Sequence, residues 1–138
     1  MLGLSTTTAA ALLTGHTLVA KSLMTVLFRA KITAKATAKQ EVDKVCASEF
    51  YKRVHAAQLN EAEYAPLLIG GLLYLSLKGV EAPVLCTLSV VGQVWYYWLR
   101  AFVGHSHEGG IDPPPYVPGA LMRYAALGML AYNIYKTG

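Results

Sequence analysis

The residues best equipped for chemistry crowd the start of one long stretch, Phe50 to Leu77. It opens as Phe50-Tyr51-Lys52-Arg53-Val54-His55-Ala56-Ala57-Gln58-Leu59-Asn60-Glu61-Ala62-Glu63-Tyr64-Ala65-Pro66 and continues without a break into Leu, Ile, Gly and Tyr. At 100° per residue, Arg53, Ala56, Asn60, Glu63 and Tyr64 share one narrow helical face, while Gln58 points roughly the other way. That face offers a cation, an amide, a carboxylate and a phenol. A second stripe, Gln93, Tyr96, Tyr97 and Arg100, recurs at i, i+3, i+4 and i+7. The two stripes would line a cleft for a polar, zwitterionic ligand at headgroup level, with an apolar co-substrate arriving from the lipid. Ionisable groups at the centre of a bilayer helix cost about 2.5 to 3.5 kcal/mol each, so they are kept where a cavity, a partner or a ligand satisfies them.

The elements that must carry these residues are membrane helices. Of 138 residues, 54% are hydrophobic and 14% are charged, which is too apolar and too sparsely charged for an ordinary soluble domain. The net charge of +4 does not indicate a nucleic-acid partner, because the basic residues collect between apolar runs. Spans are expected at Thr6 to Phe28, Phe50 to Leu77, Val84 to Val103 and Gly119 to Tyr135, each near the roughly 20 residues a hydrocarbon core requires. The first span holds His16 and Lys21, and no positive charge precedes it, which favours a retained helix over a cleaved signal. Lys21 must then face an interior or a cleft, or snorkel to an interface.

Between the spans lie a basic loop at 29–49, with at most a helical turn or two, a tight turn at 78–83 and a Pro-rich loop at 104–118. Basic residues in short loops favour the cytoplasm, so both longer loops are expected there. Lipid offers no hydrogen bonds and the runs lack barrel alternation, so the expected fold is all-α, an integral membrane four-helix bundle in a single domain. Cys46 and Cys86 are too few for a disulfide framework and read as free thiols. His105, His107 and Glu108 lack a recognised zinc spacing and read as solvated loop residues, so no metal is expected. Trp95, Tyr96, Tyr97 and Trp98 also suit an interfacial aromatic belt, and Arg53 and Arg100 also suit snorkelling to phosphates.

The segment Arg53-Val-His-Ala-Ala-Gln58-Leu-Asn60-Glu-Ala-Glu63-Tyr64-Ala-Pro66 resembles the second-helix signature of the membrane-associated proteins in eicosanoid and glutathione metabolism. The first-helix pattern Leu-Leu-Thr-Gly-His-Thr-Leu-Val-Ala-Lys21 and the Gly-Gln93-Val start of the third-helix stripe are similar to family patterns as well. The resemblance implies a homotrimer in the endoplasmic reticulum or a related membrane, with glutathione bound between protomers near the cytosolic face. Asn60, Glu63 and Tyr64 match positions that hold the tripeptide in one protomer, and Gln58 matches one reaching it from the neighbour. Tyr96 matches an aromatic or imidazole ligand position, and Arg53 and Gln93 complete the expected binding set.

Three familial arginines are absent, at Ala56, at Gln93 and near Tyr116-Val117-Pro118. Lowering a thiol from a pKa of about 8.5 to roughly 6.5 takes about 2.7 kcal/mol of preferential thiolate stabilisation. Three replacements are open: Arg100 as the cation, a hydroxyl from Tyr96, Tyr97 or Tyr116, and His105 or His107 approaching from the loop; Arg100 with a tyrosine hydroxyl, Tyr96 or Tyr116 first, is the expected one. Two functions fit. One is a glutathione-dependent transferase or peroxidase acting on lipophilic electrophiles of eicosanoid or lipid-hydroperoxide type. The other is a non-catalytic lipid-binding scaffold of the same fold, resembling the lipoxygenase-activating member, for which no thiol need be activated.

Overall fold

The computed structural model describes residues 3–37, 44, 46–103 and 114–138. They form α1 (Thr6–Thr37), α2 (Glu49–Leu77), α3 (Pro83–Trp98) with a π-helical turn at Leu99–Val103, and α4 (Val117–Thr137). No strand occurs among the described residues.

The ends of these helices follow from local chemistry. Ser48 caps α2 by accepting from the backbone N–H of Tyr51 at 3.3 Å, with Glu49 beside it in the positively polarised first turn. At the other end, Gly79 takes a φ of +68°, a left-handed conformation that glycine adopts without steric cost. There the N–H groups of Gly79 and Val80 close on the carbonyls of Ser76 and Leu75. Pro83 then opens α3, where a missing N–H costs nothing.

One expectation needs correction. The segment 29–49 is not a loop throughout, because α1 runs nine residues past Phe28 to Thr37 and α2 begins at Glu49. The sequence Ala30-Lys31-Ile32-Thr33-Ala34-Lys35-Ala36-Thr37 holds no Gly or Pro and is rich in strong helix formers, so the helix continues after its apolar character has ended. By length and composition together, one helical stretch among the described residues, Thr6–Ala30, suits a bilayer crossing. The first half of α2 is polar, and α3 has 16 residues before its π turn.

The side-chain contacts fix the arrangement. Thr7 meets Ser76 and Thr17 meets Glu61, so α1 and α2 are antiparallel. Glu61 meets Gln93 and Arg53 meets Val103, so α2 and α3 are antiparallel too. α4 runs antiparallel to α3 and parallel to α2, as Gly92 against Gly119, Asn60 against Arg123 and Gly71 against Leu130 show. Among the described residues the backbones of α1 and α4 do not approach each other closely, so α2 and α3 form the centre of the bundle.

The interior is layered. One apolar cluster joins Ala9, Leu13, Leu68, Leu72, Leu75, Leu85, Ala126 and Leu130. A smaller one joins Ala20, Val54, Ala57, Tyr97 and Ala101. Along α1, α2 and α3 the residues between the two clusters include His16, Thr17, Gln58, Glu61, Ser89 and Gln93, a polar belt inside the protein. The outer surface is apolar, with Leu18, Val26, Leu67, Leu77, Val84 and Leu121 all more than half exposed. Polar groups inside and apolar groups outside suit a lipid surround, where backbone and side-chain polar groups must be satisfied within the protein.

Candidate functional site

The belt contains two nodes. The first is Glu61, 1% exposed, whose carboxylate collects donors from two other helices. Thr17 Oγ1 donates to its Oε1 at 2.8 Å, His16 Nδ1 lies 3.0 Å from the same oxygen, and Gln93 Nε2 donates to Oε2. The His16 ring stands edge-on to Tyr97 and Trp98, with centroids at 5.3 and 6.1 Å. Its Nε2 is buried without a partner, as are Gln93 Oε1 and both amide atoms of Gln58.

The second node is Arg123, also 1% exposed and the largest fully buried side chain among those described. Its guanidinium lies between two phenol rings, with Cζ 4.0 Å from the Tyr64 centroid and 3.9 Å from that of Tyr96. Nη2 donates to Asn60 Oδ1 at 3.4 Å. Asn60 is oriented for this, since its Nδ2 donates back to the Ala56 carbonyl at 3.3 Å and leaves the oxygen facing the cation. Nε and Nη1 of Arg123 are buried and make no hydrogen bond. Tyr64 and Tyr124 share a hydroxyl contact of 3.3 Å at the edge of the node.

Close helix packing delivers Arg123 to this place. A Cβ at Gly92 would lie 2.9 Å from the Arg123 backbone nitrogen, and one at Gly119 would lie 2.7 Å from that of Tyr96. With no side chains between them, the two backbones approach until Tyr96 stacks on Arg123. On the far side of Tyr96, Arg100 Nη1 donates to its hydroxyl at 2.9 Å and faces Tyr116 at 5.3 Å. A buried guanidinium flanked by ring faces and an amide oxygen thus keeps two nitrogen donors without partners, which an anion would satisfy.

The structure thus joins Asn60, Tyr64 and Tyr96 around Arg123, with Arg100 and Tyr116 behind Tyr96. Gln93 faces Glu61 instead, so the expected single stripe of α3 is divided: Gln93 and Tyr97 turn toward α1 and α2, and Tyr96 and Arg100 toward the start of α4. Arg53 donates from Nη1 to the Val103 carbonyl at 3.3 Å, capping the π turn. Gln58 is buried within the protomer, 7% exposed, while Glu63 and Lys21 are exposed on its outer side. His105, His107 and Glu108 lie outside the described residues.

Neither node centre is one of the residues carried over from the resemblance, yet both carry a signal in the sequence. Arg123 is the sole charged residue of Gly119 to Tyr135, and a charge inside an apolar run calls for a partner. Glu61 lies within about 40° of Val54, Ala57, Ala65, Leu68 and Leu72 on a helical projection, in the middle of an apolar face.

Comparison with known proteins agrees with the resemblance. The MAPEG family model matches residues 6–132, nearly the whole chain. No curated protein and no solved structure matches. With four helices, a polar belt inside an apolar exterior and that match, the chain belongs to the MAPEG family of membrane proteins, whose roles are tied to glutathione or eicosanoid metabolism.

Proposed function

We propose that this protein binds glutathione at the Arg123 node and uses its thiolate against lipophilic electrophiles. Arg123 would face the sulfur as the cation that favours its ionised form, with Asn60 and Tyr64 holding the tripeptide and Tyr96 offering its hydroxyl proton. Arg100 already donates to the Tyr96 oxygen, which leaves that proton free to point at a ligand. Arg100 and Tyr116 then serve the outer part of the site. The exposed Glu63 is the group for a ligand or a neighbouring copy to engage, and a homotrimer with sites between protomers supplies both. Arg53, Gln58 and Gln93 act by shaping the walls.

The single observation that carries this reading is the buried Arg123, stacked between two tyrosines with two donors unused. In a low-dielectric site such a cation readily supplies the roughly 2.7 kcal/mol needed to bring a thiol into its ionised form at neutral pH. The thiolate then attacks an electrophilic carbon, forming a C–S bond as a leaving group departs with its electron pair or as an activated double bond opens and takes up a proton. With a hydroperoxide it attacks the distal oxygen, releasing the alcohol and leaving a sulfenic acid that a second glutathione converts to the disulfide and water. The scaffold alternative rests on the missing family arginines, and the buried Arg123 on α4 supports the enzyme reading in preference to it.

The test is direct. Purified protein should show glutathione-dependent conjugation of a model electrophile or reduction of a lipid hydroperoxide, together with the ultraviolet absorbance of bound thiolate. Arg123→Leu should lose the thiolate signal. If wild type gives neither reaction above the uncatalysed rate at saturating glutathione, the proposal is wrong.

A further inference from the structure

Consecutive residues of α3 hold the two helices that build the site. Gly92 receives α4, since a Cβ there would lie 2.9 Å from the Arg123 nitrogen and 3.1 Å from the Gly119 carbonyl oxygen. Gln93, the next residue, donates to Glu61 on α2. Asn60 precedes Glu61 and Tyr64 follows it by one turn, and these two residues meet Arg123. The node at Glu61 also ties in α1 through Thr17 and His16.

We infer that Glu61 is a positioning residue: its contacts to Gln93, Thr17 and His16 set the rotation and depth of α2, and thereby bring Asn60 and Tyr64 to Arg123. The inference rests on the glutathione reading of that node. In lipid, helices gain no hydrophobic preference for one register, so small-residue contacts and hydrogen bonds must select it. The apolar clusters on either side of the belt tolerate repacking at conserved volume and carry little directional information. A single buried polar group is a well-attested way to fix register. Position 61 calls for a hydrogen-bonding side chain, because Thr17 and the Gln93 amide both donate to its carboxylate.

Three substitutions in the full-length protein test this. Glu61→Gln keeps an acceptor for Thr17 and His16, and the Gln93 amide can turn its oxygen toward the new amide. Glu61→Leu removes every acceptor. Gln93→Leu breaks the contact from the other side and serves if Glu61→Leu does not fold.

Register is read without glutathione, from disulfide formation in Thr7→Cys/Ser76→Cys, a pair whose hydroxyls lie 2.6 Å apart at the far end of α1 and α2. Cys46 and Cys86 are replaced by Ala in that background. Site geometry is read from glutathione affinity, with the melting temperature as a check on folding. Glu61→Leu and Gln93→Leu should slow cross-linking and weaken glutathione binding by about tenfold or more, with the glutathione KM rising more than kcat falls. Glu61→Gln should stay within about threefold of wild type in both measurements.

The inference is overturned if Glu61→Leu, or Gln93→Leu in its place, matches wild type in cross-linking and affinity. It is equally overturned if Glu61→Gln is as impaired as Glu61→Leu, since charge and not hydrogen-bond geometry would then be what matters. Should wild type fail to bind glutathione, the functional reading falls, while the cross-linking series still decides whether Glu61 sets the register.

Discussion

At the scale of single residues, the two arginines beside Tyr96 differ in what surrounds them. Arg123 is buried with its Cζ within 4.0 Å of two tyrosine ring centroids, whereas Arg100 is half-buried and engages the phenol oxygen. A cation shielded from water interacts several times more strongly with a nearby anion than one in a high-dielectric setting. Arg123→Leu is therefore expected to lower glutathione-dependent turnover by about a hundredfold, the rate equivalent of the roughly 2.7 kcal/mol of thiolate stabilisation. Arg123→Lys keeps the charge but loses the planar stacking and the fork of donors, so an intermediate loss is expected. Arg100→Leu should cost about tenfold or less. Steady-state rates for the three variants, compared at saturating electrophile, check the order. An Arg100 variant that falls further than Arg123→Leu would move the activating role back to α3.

At the scale of elements, the fold turns on how closely α3 and α4 approach. At Gly92 and Gly119 an added methyl meets backbone atoms, which cannot step aside, at 2.7 to 3.1 Å. At Gly71 the same methyl meets the flexible end of Leu130. Gly92→Ala and Gly119→Ala should therefore destabilise by about 1 to 3 kcal/mol, the usual range for overpacking, and should also reduce activity by shifting Arg123 against Tyr96. Gly71→Ala should cost less, because a leucine tip can change rotamer and alanine is the better helix former. Thermal melts in detergent, with each variant assayed alongside, would show this ranking. The π turn at Leu99–Val103 belongs to this scale too: Arg53 answers the carbonyl of Val103 there, and Arg53→Ala should lower stability by about 0.5 to 1 kcal/mol, read from thermal melts in detergent.

At the scale of the whole molecule, the distribution of polarity is inverted relative to a water-soluble bundle. The fully buried set includes Arg123, Glu61 and Gln93, and the exposed set includes Leu18, Leu67, Leu77 and Leu121. We propose that the segment between α1 and α2 lies in the cytosol, because its lysines would be retained on that side. Cys46 lies in this segment and is half-buried, while Cys86 is fully buried. In sealed microsomes with the cytosolic face outward, a membrane-impermeant maleimide should label Cys46 without permeabilisation. Labelling only after detergent is added would reverse the proposed orientation.

What the sequence determined by itself was the set of helices and the family. Apolar runs interrupted by basic and Pro-rich segments specify helices because lipid leaves the backbone no other partner, although among the described residues only Thr6–Ala30 is long and apolar enough by itself for a bilayer crossing. The signature from Arg53 to Pro66 identified the family without any coordinates, and the MAPEG match covers residues 6–132. The limits of the apolar pattern did not reveal the end of α1, because helix propensity carries the chain on to Thr37 after hydrophobicity stops. What only the tertiary structure decided was which polar residues meet. Helical angles place Asn60 and Glu63 on one face, yet Asn60 touches Arg123 while Glu63 stays outside, and the stripe from Gln93 to Arg100 divides between two partners. A helical projection gives directions around one axis. Which neighbour stands in each direction depends on how close two backbones can come, and here that was set by the absence of side chains at Gly92 and Gly119.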